Sequence, residues 1–175
     1  KRDDLSPYIL VTSKEIPGIS IEDILSVSNY VAKNTDKITK SKFNSEYSAL
    51  MENLSVNNPV VDYKLSVVTT LMDLGNKEIM VVSIPGAKSL TQIAFYYPES
   101  KRSELVIIAR NIIESFKYDS GYQYDPNKNS VLNGSFESGL IAFSSFGFVA
   151  IVIFIIKLIV AKFENKDRSV SNIEN

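Results

Sequence analysis

The chain has 175 residues, a formal net charge of −1 from 19 Lys+Arg against 20 Asp+Glu, and 45% hydrophobic residues. It has no Cys, His or Trp. That excludes disulfides, thiolate zinc sites, Cys nucleophiles and His-based acid–base chemistry, and the balanced charge gives no sign of nucleic acid as a partner.

Residues 1–117 read as one compact domain. Lys1–Pro7 is charged, and Tyr8-Ile9-Leu10-Val11-Thr12 is a short run rich in strand formers. Ile16-Pro17-Gly18 is a turn signal. Ser20 then caps a helix over 20–34, with Glu22 and Asp23 in its first turn, where the helix dipole favours acids. Ile21, Ile24, Leu25, Ser28 and Val31 trace its apolar face. Lys37 to Phe43 alternates loosely and reads as a strand, Ser45 to Leu54 suits a short helix or another strand, and Asn57-Asn58-Pro59 is a break.

Three strand-like runs follow: Val61–Met72, with Tyr63, Leu65, Val67, Thr69 and Leu71 on one face; Glu78–Ile84; and Leu90–Tyr97, with Thr91, Ile93, Phe95 and Tyr97 on one face. Leu74-Gly75-Asn76-Lys77 and Pro85-Gly86 are the turns between them, so the expected pairing is an antiparallel meander. Pro98-Glu99-Ser100 opens a second helix. Its apolar pattern is Leu105, Ile108, Ala109, Ile112, Ile113 and Phe116, which should lie across the sheet. The fold class expected is α+β, an antiparallel sheet packed with helices.

Residues 118–138, rich in Gly, Pro, Asn and Ser, read as a linker. Tyr118, Tyr122 and Tyr124 within it suit either a membrane-interface belt or packing on the domain or a partner. Gly139–Ile156 carries no charge, and the apolar run resumes after Lys157. Roughly 20 helical residues span a bilayer core of about 30 Å, so residues 139–161 are expected to form one C-terminal transmembrane helix. Phe136, Lys157 and Lys162 would sit at the membrane interface. Ser138, Gly139, Ala142 and Ser145 follow helical spacing as a small-residue face suited to helix packing; a lone lipid-exposed anchor is the alternative. Lys162, Lys166 and Arg168 follow the helix, whereas Lys128 is the nearest positive residue before it. The expectation is a cytoplasmic tail over 162–175 and a large domain outside the cytoplasm, periplasmic or extracellular. A tail anchor of opposite topology is the alternative. An exported domain that starts at Lys1 suggests a leader removed ahead of it.

The early strand and helix, the meander carrying Gln92-Ile93-Ala94-Phe95-Tyr96-Tyr97-Pro98, and the helix ending in Ile112-Ile113-Glu114-Ser115-Phe116 resemble the Mog1/PsbP-like family over residues 8–117. The resemblance implies a sandwich of that type, and a small, non-enzymatic, often exported module that binds and stabilises a larger assembly. It carries no functional residue across, and the C-terminal membrane helix is outside the family's usual plan.

No phosphate-binding glycine motif occurs. Lys88-Ser89 and Ser100-Lys101 are adjacent pairs without the geometry of a Ser–Lys dyad, and Asp3-Asp4 and Glu22-Asp23 lack a calcium loop. Lys33, Lys37, Lys40 and Lys42 form a basic stretch that reads as a solvated face, or as a contact for anionic lipid or an acidic partner. No catalytic residue, cofactor or metal site is expected. The leading expectation is a single-pass accessory subunit whose outer domain docks on a larger membrane protein complex. A free-standing tethered domain for an envelope ligand or lipid is the alternative, and the expected partners are the lipid bilayer and either a larger membrane protein complex or further copies of the chain in a homo-oligomer.

Overall fold

The computed structural model describes residues 7–35, the helical backbone of 36–42, and residues 54–127. The elements in chain order are β1 (Tyr8–Glu15), α1 (Ile21–Lys42), β2 (Ser55–Val56), β3 (Val60–Asp62), β4 (Val67–Asp73), β5 (Lys77–Pro85), β6 (Ser89–Pro98), a single 3₁₀ turn (Glu99–Lys101) and α2 (Arg102–Ser115). The six strands form one sheet of order β1-β6-β5-β4-β2, with β3 also on β4, and every pairing is antiparallel. The class is α+β.

Helix α1 starts where Ser20 places it. The Ser20 hydroxyl accepts from the Asp23 N–H at 3.1 Å, and the Asp23 carboxylate accepts from the Ser20 N–H at 2.9 Å and its hydroxyl at 2.6 Å. This reciprocal cap satisfies two otherwise orphaned groups at the helix start. The helix does not end at residue 34 as expected, and Lys37 to Lys42 is helical rather than a strand. Asn34 departs from helical geometry (φ −117°, ψ 16°), so the helix kinks there and continues. The Asn34 amide donates to the Tyr30 carbonyl at 2.9 Å and the Thr35 hydroxyl to the Val31 carbonyl at 2.8 Å. Side chains that bond back to the preceding turn bend a helix without stopping it.

The expected strand over Val61–Met72 is two strands. Asp62 turns the chain: its carboxylate accepts from the N–H groups of Lys64 (2.9 Å) and Leu65 (3.1 Å), and Ser66 takes a left-handed φ of 54°. Asp62 and Val67 then close a tight β3–β4 hairpin. With neither Gly nor Pro in it, this turn gives no strong signal in the sequence. The expected turn at Leu74–Lys77 is present, with the Leu74 N–H bonded to the Lys77 carbonyl at 2.8 Å and Gly75 at φ 86°. The expected run Tyr8–Thr12 extends to Glu15.

Each face of the sheet carries its own core. Val68, Met72, Ile79, Val81, Leu90, Ala94 and Tyr96 pack with Ile16, Ile19, Ile21, Ile24, Val27 and Val31 on the α1 side. Val67, Val82, Ile84, Ile93, Phe95 and Tyr97 pack with Leu105 and Ala109 on the α2 side.

Beyond α2 the chain stays on the domain. Phe116 and Tyr118 stack edge to face at 5.1 Å, and both pack against the α2-side core. The Tyr118 hydroxyl donates to the Ile84 carbonyl at 2.9 Å and lies 2.9 Å from the Thr91 hydroxyl. The Tyr122 carbonyl accepts from the Ala87 N–H at 2.9 Å, and Tyr124 packs against the α1-side core. Residues 116–124 therefore form a strap from one face of the sheet, past the β5–β6 turn, to the other. The linker beyond residue 127, the membrane segment 139–161 and the tail 162–175 lie outside the described residues.

Gly86 admits this strap. A Cβ there would meet the Tyr118 ring at 2.8 Å and the Tyr122 carbonyl at 3.0 Å. Gly86→Ala should therefore destabilise the domain by about 1–3 kcal/mol through overpacking. Urea unfolding of the full chain in detergent, followed by tyrosine fluorescence, checks this; an unchanged midpoint would mean that the strap is not held in place.

Candidate interaction surface

Helix α2 is pinned at both ends. At its start, the Glu99 N–H bonds to the Asn76 carbonyl at 3.1 Å. The Arg102 guanidinium then reaches Glu78 on β5 with both Nε (2.8 Å) and Nη2. Glu78 is fully buried on the α2 side of the sheet, while Arg102 is half exposed. A buried carboxylate is tolerable only with such a partner, so the fork holds the helix start on the sheet. At its end, the Phe116 N–H bonds to the carbonyls of Ile112 (2.9 Å) and Ile113 (3.2 Å).

Between these anchors α2 buries Leu105 and Ala109 and half-buries Ile112 and Ile113. The outer side is apolar as well. Val106, Ile107 and Ile108 are 44%, 63% and 39% exposed. Ile108, expected to face inward, lies on the flank of the buried stripe. Charge pairs bracket the triplet, Lys101–Glu104 at 3.0 Å before it and Arg110–Glu114 at 2.8 Å after it. Its bond to Glu114, and then the nearby Glu114 charge, push the Arg110 guanidinium pKa up. An apolar triplet rimmed by charge is the usual make-up of a protein contact surface. Val106 and Ile107 break the helical period of the buried stripe, and that break is the signal available in the sequence. Nothing local marks Glu78 as the partner of Arg102.

A second feature lies at the opposite end of the sheet from the strap. Tyr96, on the α1 side, is buried with a hydroxyl that has no hydrogen-bond partner among the described residues. The Tyr8 ring lies 5.8 Å from it, and the Lys77 ammonium lies 6.0 Å from the Tyr96 ring centre. Burial, with a smaller contribution from Tyr8, pushes the Tyr96 pKa up to about 12. Burial also pushes the Lys77 pKa down, against an opposing effect of Tyr8.

Of the pairs considered for chemistry, Lys101 bonds Glu104 and Asp23 serves as the helix cap, while Asp3 and Asp4 lie outside the described residues. No group of acidic residues suited to a metal ion occurs among the described residues, and no helix among them is long and apolar enough to cross a membrane. Phe136, Ser138, Gly139, Ala142, Ser145, Lys157 and Lys162 lie outside the described residues, as do the side chains of Lys37, Lys40 and Lys42. Comparison with protein-family models, curated proteins and solved structures finds no match to this chain.

The Tyr96 hydroxyl gives a pH prediction. The folded state holds its proton more tightly than the unfolded chain, whose tyrosines titrate near pH 10. The stability from this group is therefore present below about pH 10 and is lost as pH rises through about 12. Tyr96→Phe removes that loss and the unpaired hydroxyl together. It should raise stability at neutral pH by about 1 kcal/mol and flatten the alkaline decline. Denaturant unfolding of both chains across the alkaline range tests this; a destabilised Tyr96→Phe chain would show that the hydroxyl is bonded in solution.

Proposed function

We propose that this chain is a single-pass, membrane-anchored accessory subunit whose α+β domain lies outside the cytoplasm and binds a larger membrane protein complex. The observation that carries this reading is that Val106, Ile107 and Ile108 are all exposed around the outward side of a helix held on the sheet by the Arg102–Glu78 pair. Exposed apolar side chains rimmed by charges suit docking on another protein. The uncharged run Gly139–Ile156 and the positive residues after it support the anchor and its orientation. The Mog1/PsbP-like likeness belongs to the same proposal, and an antiparallel sheet with a helix on each face is compatible with it.

Purification of the tagged full chain in mild detergent tests the reading. The expected result is a larger membrane protein recovered in fixed ratio, and its loss when Ile107→Asp and Val106→Asp are introduced without change in far-UV circular dichroism. Recovery of the chain without any other subunit would sink it. The topology has its own test, because the chain has no cysteine to interfere. With Lys128→Cys and Val170→Cys made singly, an impermeant thiol reagent added to intact cells should label position 128 and spare position 170. Labelling at 170 would reverse the orientation.

A further inference from the structure

The two edges of the sheet are built differently. Beyond β4 the edge consists of two short strands. Val56 faces Met72 and Val60 faces Thr69, so the chain 57–59 carries one residue more than the stretch of β4 opposite it. That bulge contains Pro59, which has no N–H to offer. Short strands, a bulge and a proline are the devices that stop a sheet from pairing further.

The β1 edge has none of them. It runs for eight residues in unbroken register with β6, from Tyr8 opposite Tyr96 to Glu15 opposite Ser89. The Ile16 N–H bonds to the Lys88 carbonyl, continuing that register, and this fixes the phase of the ladder. Even-numbered residues of β1 bond to β6, and Ile9, Val11, Ser13 and Glu15 turn their N–H and C=O outward. No strand covers them among the described residues.

The same odd-numbered row is apolar in its first half. Ile9 pairs with Phe95, which packs under α2, so Ile9 and Val11 project on the α2 side, where they are 48% and 58% exposed.

We propose that the β1 edge pairs with the β1 edge of a second copy of this chain, antiparallel, about a twofold axis normal to the sheet. The strand is complementary to itself in this arrangement and in no parallel one. Centring the axis on Val11 sets Val11 against its own equivalent and Ile9 against Ser13 of the partner subunit, and it uses the outward N–H and C=O of all three. Lys14 then lies opposite Tyr8 of the partner subunit, so no like charges meet; parallel pairing would set Lys14 on Lys14 and Glu15 on Glu15. Both α2 helices fall on one side of the joined sheet, the side on which Ile9 and Val11 project. The twofold sends the two straps to opposite ends of the pair.

The mass of the detergent-solubilised full chain, measured by light scattering and sedimentation, tests this. The native chain should be a dimer. Val11→Pro removes only an outward N–H and leaves the β6 ladder intact, and Ile9→Lys places a charge on the seam. Each should yield monomer with unchanged far-UV circular dichroism. Val11→Cys should cross-link under mild oxidation, because the two Cα atoms of such a pair lie about 5.5 Å apart. A monomeric native chain would overturn the proposal, as would a dimer that survives both Val11→Pro and Ile9→Lys, the behaviour of association through the membrane segment alone. A dimer without any other subunit would sink the accessory-subunit reading and leave this one standing.

Discussion

Strands β5 and β6 are buried from both sides, and the rest of the domain follows from that. Most of their residues lie inside, on whichever face they point. An antiparallel sheet commonly keeps one face wet, so two buried faces require a separate cover for each. Helix α1 provides one and α2 the other. Each fully buried Val, Ile or Phe contributes about 1.5–3 kcal/mol, which makes the two covers the main source of stability. The one carboxylate within these strands, Glu78, is bound by the same constraint. It sits under α2 and is held there by Arg102, so the polar exception in the sheet also fixes where its cover begins.

The cover on the α2 side is narrow, and that shapes the surface left for partners. One helix of fourteen residues lies over the centre of the sheet. Its buried stripe reaches β5 and β6, while Ile9 and Val11 at the β1 edge stay exposed on that side, and Val106 to Ile108 face out from the helix itself. The tyrosine strap completes the cover at one end. It also delivers the chain to the start of α1, where Tyr124 packs.

Much of the domain was legible in the amino-acid order. The cap at Ser20, the turn at Leu74–Lys77, the meander of the last three strands and the closing helix each rest on local chemistry. That chemistry is a side-chain oxygen beside orphan N–H groups, a glycine at positive φ, and apolar residues at periods of two or 3.6. The departures have local reasons too. Asp62 turns the chain without glycine or proline. Asn34 and Thr35 bend a helix that their composition suggested they would end. The candidate surface was legible only in part: Val106 and Ile107 stand off the helical stripe, but no pattern says whether another element covers them.

The amino-acid order by itself determined which side-chain chemistries the chain lacks, most of the kinds and order of the elements in its domain, and an uncharged apolar run over Gly139–Ile156. Tertiary structure decided the rest. It put a helix on each face of the sheet, joined Glu78 to Arg102, folded Tyr118 and Tyr122 over Gly86, and left the β1 edge without a further strand among the described residues. These features depend on residues far apart in the chain meeting in space. Periodicity and turn chemistry describe only neighbours along it, and which strand ends at an edge is settled by the packing of the whole sheet.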